Sequence, residues 1–332
     1  MAQMKYFYEL TISSSPHAHS PVTTQTIMRD VLIALVPALL GSISFFGFRA
    51  RLVTLVSAAA CVFFEWGFCK IRKLHCKTYD LSAVVTGVLL AFVCPVTIPY
   101  WTIILGDFFA IVLVKMLFGG LGKNIVNPAL AGRAFLFSWP VLMSNWVKVG
   151  FDNAAGLLST ADAVTAATPM SAMHQGALPE ESILDMFLGN IGGCIGETSA
   201  LLLIIGFVYL LYRKVITARI PLAYIGTVAI LAFLFPQGND RIAWMAAQVF
   251  GGGLMLGAIF MATDYVTSPL TKLGQIVYGI GCGVITILIR YFGGYSEGVT
   301  YAILCMNACA VLLDKIGRPV KFGAPKKEAA KK

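Results

Sequence analysis

One segment of this chain carries hydroxyl groups among small residues, and it lies within a long loop predicted at residues 147–196. It reads DAVTAATP from Asp162 to Pro169, with Thr165 and Thr168 as its hydroxyl residues. Ala and Thr are exposed at little cost, and Pro169 restricts Thr168 to an extended backbone. We expect an exposed Thr168 hydroxyl, which would be open to a modifying enzyme. The alternative is an ordinary loop of small residues, and composition alone leaves both interpretations open.

Two asparagines stand three residues apart where a proline interrupts an apolar run. Asn124 and Asn127 occur in NIVNPA, with Pro128 directly after the second and Arg133 about one turn beyond. A primary amide offers both donors and acceptors, and so does the edge of a heteroaromatic ring. The pattern therefore predicts either a ring-binding pair at a broken helix, or helix capping combined with interhelical hydrogen bonds.

Three carboxylates stand in or beside apolar runs. Asp264, in ATDYVTSP, closes one run and is either a turn carboxylate or a ligand for a flavin edge or a cation. Glu65 and Asp107 lie inside runs, where a charge is costly unless it is paired or wetted. Each of these two is a candidate for an ion path, with a helix–helix hydrogen bond as the alternative.

The composition of the chain indicates that the segments that position these residues span a membrane. Of the 332 residues, 58% are hydrophobic and 12% are charged, with a mean hydropathy of +0.80. Soluble domains contain about 25% charged residues, so a soluble, disordered or collagen-like chain is excluded. The net charge of +9 fits membrane orientation better than nucleic-acid binding, because Lys and Arg stand mostly between apolar runs. The eight cysteines form no CxxC pair, and we predict no metal site.

Ten apolar runs reach membrane length. They lie at roughly 30–48, 52–69, 80–97, 99–118, 130–146, 198–212, 219–236, 242–262, 273–292 and 298–314. The fifth is the weakest, because Arg133 and Pro140 lie inside it. These runs predict a membrane domain at 30–314, a cytoplasmic N-terminal segment at 1–29 and a basic cytoplasmic tail at 315–332.

The distribution of positive charge predicts the orientation. With the N-terminus inside, 20 of the 25 Lys and Arg residues fall on inner segments, which agrees with the cytoplasmic bias of such residues. Both termini are therefore predicted to be cytoplasmic, with loop 147–196 outside. Ten spans divide into two sets of five, and an odd set forces the halves into opposite orientations. The predicted fold class is an all-α polytopic membrane protein of two inverted five-helix repeats.

Several separated blocks, in order along nearly the whole chain, carry a family resemblance. They are SPHAHSPVTTQTIMRDVLIALVPA, DLSAVVTGVLLAF, FGGLGKNIVNPALAGRAFLFSWP, DAVTAATPM, GCIGETSALLLIIG, GAIFMATDYVTSP and EGVTYAILCMNACAVLLDK. The sequence resembles the NqrB/RnfD family, which contains the RnfD component of the Rnf electron-transport complex and the NqrB component of the sodium-pumping NADH:quinone reductase. The length of the chain favours the Rnf branch.

The resemblance implies two flavins. A covalent FMN is expected as a phosphoester on Thr168, within a motif that also contains Asp162 and Thr165 and has Ala166 where the family usually has glycine. A flavin transferase is the implied partner that attaches it from the outer side. The Asn124, Asn127 and Asp264 positions match motifs connected with a non-covalent riboflavin. The implied architecture is similar to that of urea and ammonium channels.

The implied function is that of a flavoprotein component of a Na⁺- or H⁺-translocating ferredoxin:NAD⁺ oxidoreductase in the bacterial inner membrane. Its expected partners are the A, B, C, E and G components of the Rnf complex. The chain has no nucleotide-binding or iron–sulfur signature, so we expect it not to reduce NAD alone. The alternatives are a channel or transporter without a redox cofactor, the sister component of the quinone reductase and a structural scaffold.

Overall fold

A computed structural model of the chain describes residues 22–73, 78–143, 145–146, 168–179, 181–238, 240–315 and 317. Helices and loops account for all of these residues, in agreement with the predicted all-α class. The helices are α1 (Thr24–Phe46), α2 (Phe48–Ile71), α3 (Ser82–Phe92), α4 (Tyr100–Phe108), α5 (Pro128–Leu136), α6 (Pro140–Met143), α7 (Pro169–His174), α8 (Ile183–Leu188), α9 (Ala200–Tyr212), α10 (Arg219–Leu234), α11 (Arg241–Phe250), α12 (Leu254–Leu256), α13 (Lys272–Phe292) and α14 (Val299–Leu313). A 3₁₀ turn covers Thr78–Asp80, and π-helical segments extend α4 over Phe109–Met116 and α12 over Gly257–Met261.

Three of these helices, α1, α2 and α13, are long and apolar enough to cross a membrane. A fourth candidate is formed by α11 with Leu254–Met261, two helices bent by 58° at their junction. Four shorter helices, α3, α9, α10 and α14, are also apolar. This agrees with a polytopic membrane protein, whereas the number of ten spans and the position of the termini stay predictions.

Two predicted spans are interrupted by identifiable residues. The run at 130–146 is divided between α5 and α6, because Pro140 has no N–H to continue a helix from the preceding turn. The run at 242–262 breaks at Gly252 and Gly253, which have φ of 52° and 41°. At Gly253 a Cβ atom would lie 2.6 Å from Glu197 Oε1, so glycine also permits the close approach of that carboxylate.

The break at Gly252 and Gly253 leaves backbone carbonyls without partners inside the helix, and a buried side chain donates hydrogen bonds to them. Arg290, on α13, donates to the carbonyls of Gln248, Gly251 and Gly252 at 2.6, 3.2 and 2.8 Å. Because lipid supplies no hydrogen bonds, a broken helix at membrane depth needs such partners. Arg290, which the charge count placed among the five Lys and Arg residues of outer segments, is buried within the bundle.

Contacts between helices join the N-terminal and C-terminal halves of the chain. Helix α2 packs against α3 and α4, and α10 packs against α13. Two further contacts connect early with late helices, α1 with α9 and α5 with α14. The approach of α3 to α2 is close at Gly87, where a Cβ atom would lie 2.7 Å from Ala58 Cα.

The predicted long loop contains local structure. Within its described part, residues 168–179 and 181–196, it forms the short helices α7 and α8. Ser182 caps α8 by accepting a hydrogen bond from Asp185 N at 3.1 Å. Local capping residues therefore start two short helices within the predicted loop.

Candidate functional site

A cavity in the bundle brings together three side chains that are distant in sequence. It contains about 770 Å³ of empty space, a figure that includes the open mouth of the cavity. Asn124, Asn127 and Asp264 all line it. Most of the remaining lining is apolar, and its other polar residues are Ser82, Thr86, Lys115, Thr263 and Tyr265. We call this space the first cavity.

Asn127 has a structural function in the wall of the first cavity. Its Oδ1 caps α5 by accepting hydrogen bonds from Ala129 N at 3.0 Å and Leu130 N at 3.4 Å. Its Nδ2 donates to Met261 O at 3.2 Å, which ties α5 to the π-helical segment Gly257–Met261. Capping and interhelical bonding, predicted as one alternative for this residue, are both confirmed.

Asn124 is only partly satisfied. Its residue is 6% exposed, and its Nδ2 donates to Val126 O at 3.2 Å. Its Oδ1 is buried and has no hydrogen-bond partner among the described residues. An unsatisfied buried acceptor costs about 1–3 kcal/mol, so this oxygen is the strongest indication in the cavity of a ligand with an N–H or O–H donor. A flavin ring has both an N–H donor and several acceptors at its edge and fits this requirement.

Asp264 follows the π-helical segment and is half-buried. Its Oδ2 accepts a hydrogen bond from Thr267 Oγ1 at 3.0 Å, and its carbonyl accepts one from Ser268 N at 3.1 Å. The turn-carboxylate interpretation is therefore confirmed, while the side chain still lines the cavity. Burial raises the pKa of Asp264, and the bond from Thr267 opposes that rise.

Lys115 lines the first cavity and was missed as a site residue, since the charge count assigned it to an inner segment. It lies in the π-helical extension of α4 and is only 2% exposed. Its Nζ lies 3.0 Å from Glu65 Oε1 and 2.6 Å from Ser82 Oγ. The signal that could have found it is a lysine inside an apolar run, which requires a partner.

Glu65 and Asp107, the predicted ion-path residues, both lie where α2 meets α4 and its π-helical extension. Glu65 pairs with Lys115, whereas Asp107 forms no ion pair with any residue that the structure describes. Asp107 Oδ1 accepts hydrogen bonds from Ser57 Oγ at 2.7 Å and Cys61 Sγ at 3.2 Å. The predicted alternative of a helix–helix hydrogen bond is thus confirmed for Asp107, and the path itself stays a prediction.

A second polar cluster surrounds Arg133. Its Nη1 contacts Glu197 Oε1 at 3.2 Å and Thr300 Oγ1 at 3.2 Å, and its Nη2 lies 2.6 Å from Glu297 Oε2. Ligand atoms of Cys194, Glu197 and Glu297 lie within 4.8 Å of one another. The guanidinium contacts both carboxylates, and its single positive charge balances one of them. Sequence analysis had singled out Arg133 without a role and had not considered Glu297.

Thr168 lies beside this cluster and is buried, with 5% of the residue exposed. It caps α7, and its Oγ1 accepts a hydrogen bond from Ser171 N at 3.3 Å. Together with Glu197 and Glu297 it lines a small second recess in the surface of the bundle. The expectation of an exposed hydroxyl was wrong, because capping turns it onto the helix and Met170 anchors α7 in the core. Asp162 and Thr165 lie outside the described residues.

Sequence comparisons identify a family and several proteins to which this chain is similar. Residues 11–323 match the model of the NQR2, RnfD, RnfE family. The D subunit of the Na⁺-translocating ferredoxin:NAD⁺ oxidoreductase complex of Acetobacterium woodii is 45% identical, over 96% of this chain and 96% of that protein. The D subunit of the proton-translocating complex of Clostridium ljungdahlii is 44% identical, with coverages of 94% and 96%. The D subunit of an ion-translocating oxidoreductase complex of Aeromonas salmonicida is 34% identical, over 95% and 99%.

Proposed function

The chain belongs to the NQR2, RnfD, RnfE family, and we propose that it is the D subunit of an ion-translocating ferredoxin:NAD⁺ oxidoreductase complex. The observation that carries this proposal is the convergence of Asn124, Asn127 and Asp264 on one cavity. Similarity to the D subunits from A. woodii and C. ljungdahlii over nearly the full length supports it. Because one of these relatives is named for Na⁺ and the other for protons, the translocated ion is left open.

The first cavity is proposed to hold a non-covalent riboflavin. When bound, a flavin supplies one- and two-electron transfer, and the protein supplies position and electrostatics. Asn124 Oδ1 accepts a hydrogen bond from the ligand and thereby gains its missing partner. Asp264 supplies a second acceptor, and the apolar lining excludes water from the ring. Asn127 acts through α5, whose start it fixes with its capping bonds.

Thr168 is proposed to carry FMN through a phosphoester, installed by a flavin transferase. Its Oγ1 fits this role because it accepts one hydrogen bond, from Ser171 N, and an ester oxygen can accept that bond as well. The hydroxyl is buried beside Glu197 and Glu297, so the α7 segment has to expose Thr168 to the transferase before it packs. Asp162 and Thr165 complete the recognition motif.

The architecture is proposed to be two inverted five-helix repeats with cytoplasmic termini. Under such a repeat α1, α2, α4 and α5 correspond to α9, α10, α13 and α14. The contact of α2 with α4 then corresponds to that of α10 with α13. The contacts of α1 with α9 and of α5 with α14 each join two corresponding helices. The proposed setting is the bacterial inner membrane, with loop 147–196 outside and the A, B, C, E and G components of the Rnf complex as partners. Glu65 and Asp107 are proposed to line the ion path.

Flavin analysis of the purified complex tests this proposal. Denaturing precipitation releases non-covalent flavin into the supernatant and leaves covalent flavin in the pellet. We expect riboflavin in the supernatant, in an amount that falls when Asn124 or Asp264 is replaced by alanine. A complex that releases no riboflavin contradicts the proposal for the first cavity and favours the channel or transporter alternative.

A further inference from the structure

Lys115 separates the first cavity from a neighbouring one. The second cavity is lined by Glu65 and Asp80 and by the backbone at Gly119 and Gly120, and it contains about 1490 Å³ of empty space, open solvent included. Lys115 lines the first cavity, and the carboxylate that it pairs with lines the second. The two cavities therefore share one buried ion pair as part of their common wall.

The charges on the two sides of this wall are unequal. Lys115 is the one Lys or Arg side chain among the described residues that line the first cavity, and Asp264 and Tyr265 are its other titratable groups. On the opposite side, Glu65 comes from α2 and Asp80 from the 3₁₀ turn. Ser82 Oγ accepts from Lys115 Nζ and donates to Asp80 Oδ1 at 2.6 Å, so both carboxylates are connected to the same ammonium group.

Burial makes this arrangement sensitive to added charge. Coulomb interactions between charges a few ångströms apart are several-fold stronger inside a protein than in water. Lys115 is 2% exposed and Glu65 is 6% exposed, so solvent screens neither charge effectively. A negative charge that appears in the first cavity competes directly with Glu65 for the single ammonium group.

We propose that Lys115 couples the charge in the first cavity to the uptake of one monovalent cation at Glu65. This inference rests on the proposed flavin in the first cavity. An electron from a one-electron carrier protein, such as the ferredoxin named for the relatives, adds one negative charge there. The ammonium group of Lys115 then turns from Glu65 towards that charge. Glu65 regains neutrality by taking one H⁺ or one Na⁺ from the second cavity, so one cation enters for each electron.

Redox-difference infrared spectroscopy on the purified complex tests this coupling. Reducing the bound riboflavin should change the vibrational signal of one carboxyl group, and that change should be absent in Glu65→Gln. A proton at Glu65 produces the carbonyl stretch of a protonated carboxyl group at any Na⁺ concentration. A sodium ion instead shifts the carboxylate stretches, and only when Na⁺ is present. The spectra thus distinguish the two cations.

Variants of Lys115 decide whether this residue transmits the effect. Lys115→Met should retain riboflavin and lose the Glu65 signal, whereas Lys115→Arg should keep both. Lys123→Met is the matched control, since it removes an exposed lysine of the following loop that lines neither cavity. If the Lys115→Met complex does not assemble, a second measurement uses Glu65→Gln. The midpoint potential of riboflavin is recorded at several cation concentrations, and its dependence on cation concentration should be absent in this variant.

Two results overturn the coupling while leaving the proposed function intact. One is a Glu65 signal that persists in a riboflavin-containing Lys115→Met complex. The other is a wild-type complex that contains riboflavin, shows no Glu65 signal on reduction and has a midpoint potential that does not depend on cation concentration. Riboflavin content is measured separately, so a complex that contains none identifies failure of the proposed function itself.

Discussion

Arg133 Nη2 lies 2.6 Å from Glu297 Oε2, a contact that joins α5 to the residues just before α14. The same guanidinium contacts Glu197 ahead of α9, so one cation holds three separate parts of the chain together. Arg133 is 2% exposed, which makes the arrangement a buried ionic cluster. Such clusters are costly to form, and removing one partner is more costly still, because it leaves charge buried without compensation.

Replacing Arg133 by methionine should therefore destabilise the protein strongly. We expect a loss of about 3–5 kcal/mol, the range for breaking a buried ion pair. Arg213→Met is the comparison, since Arg213 pairs with the buried Asp30 but its own side chain is 43% exposed. Solvent can reach that end of the pair, so we expect a smaller loss than for Arg133. Thermal unfolding of the detergent-purified chain measures both. Equal melting temperatures for the two variants would contradict a central role for Arg133.

Thr168→Ala should abolish covalent flavin in this chain. Only the hydroxyl at that position is expected to carry the phosphoester, so ultraviolet fluorescence of the chain in a denaturing gel should disappear. Ser171→Ala is the matched control, because it removes the neighbouring hydroxyl, which donates to Thr168 O at 2.7 Å. Fluorescence that persists in Thr168→Ala and is lost in Ser171→Ala would move the attachment site to the serine.

Asn124→Ala should affect flavin binding more than stability. Without ligand the variant removes an unsatisfied buried acceptor but also the hydrogen bond from Nδ2 to Val126 O, two effects of opposite sign, so its unfolding temperature should stay close to that of the wild type. With riboflavin it lacks a hydrogen bond of about 1–3 kcal/mol, which corresponds to roughly 5- to 150-fold weaker binding. Fluorescence titration of the flavin-depleted chain measures the second effect. Unchanged affinity would remove Asn124 from the binding site.

Asp264→Ala should weaken riboflavin binding by a similar amount, about 1–3 kcal/mol for a lost buried hydrogen bond. Asp314→Ala serves as its control, because Asp314 is also a loop carboxylate, accepting from Leu270 N at 2.7 Å, but does not line the first cavity. The same titration compares the two variants. A larger loss in Asp314→Ala would indicate that loop stability, and not contact with the ligand, sets the affinity.

Asp107→Asn should leave folding nearly unchanged and reduce ion transport. The amide can still accept the hydrogen bond from Ser57, and no buried cation among the described residues loses a partner. Electron-transfer-driven ion uptake into proteoliposomes, measured beside the electron-transfer rate, tests this. A variant that moves ions at the wild-type ratio to electrons would restrict Asp107 to helix packing.

The sequence predicted the membrane class and singled out Asn124, Asn127 and Asp264, which line the first cavity, because apolar runs and ordered motifs are local signals. Pro140 marked the fifth run as the weakest, but the break at Gly252 and Gly253 was not predicted, since these glycines act through backbone geometry that hydropathy does not record. The sequence also missed the partners of buried charges. Lys115 and Glu65 lie 50 residues apart and Arg133 and Glu297 lie 164 apart, so only the packing of the helices identifies each pair.

Burial of Thr168 was unpredictable for a similar reason. The motif and Pro169 fix an extended backbone at this position, and its φ and ψ of −72° and 150° agree with that. Exposure depends instead on whether α7 packs on the bundle, which Met170 and Met173 accomplish from within the core. The local sequence determines the backbone conformation of Thr168, whereas contacts with distant helices determine the exposure of its side chain.

Mass spectrometry of the peptide that contains Thr168 tests the central claim most directly. The chain would be co-expressed with a flavin transferase, purified and digested, and the gel fluorescence of the intact chain recorded in parallel. The account predicts a peptide heavier by one FMN less one water, with the added mass on Thr168. An unmodified peptide, from cells in which the transferase modifies a second substrate, would contradict the claim that this chain carries a covalent flavin.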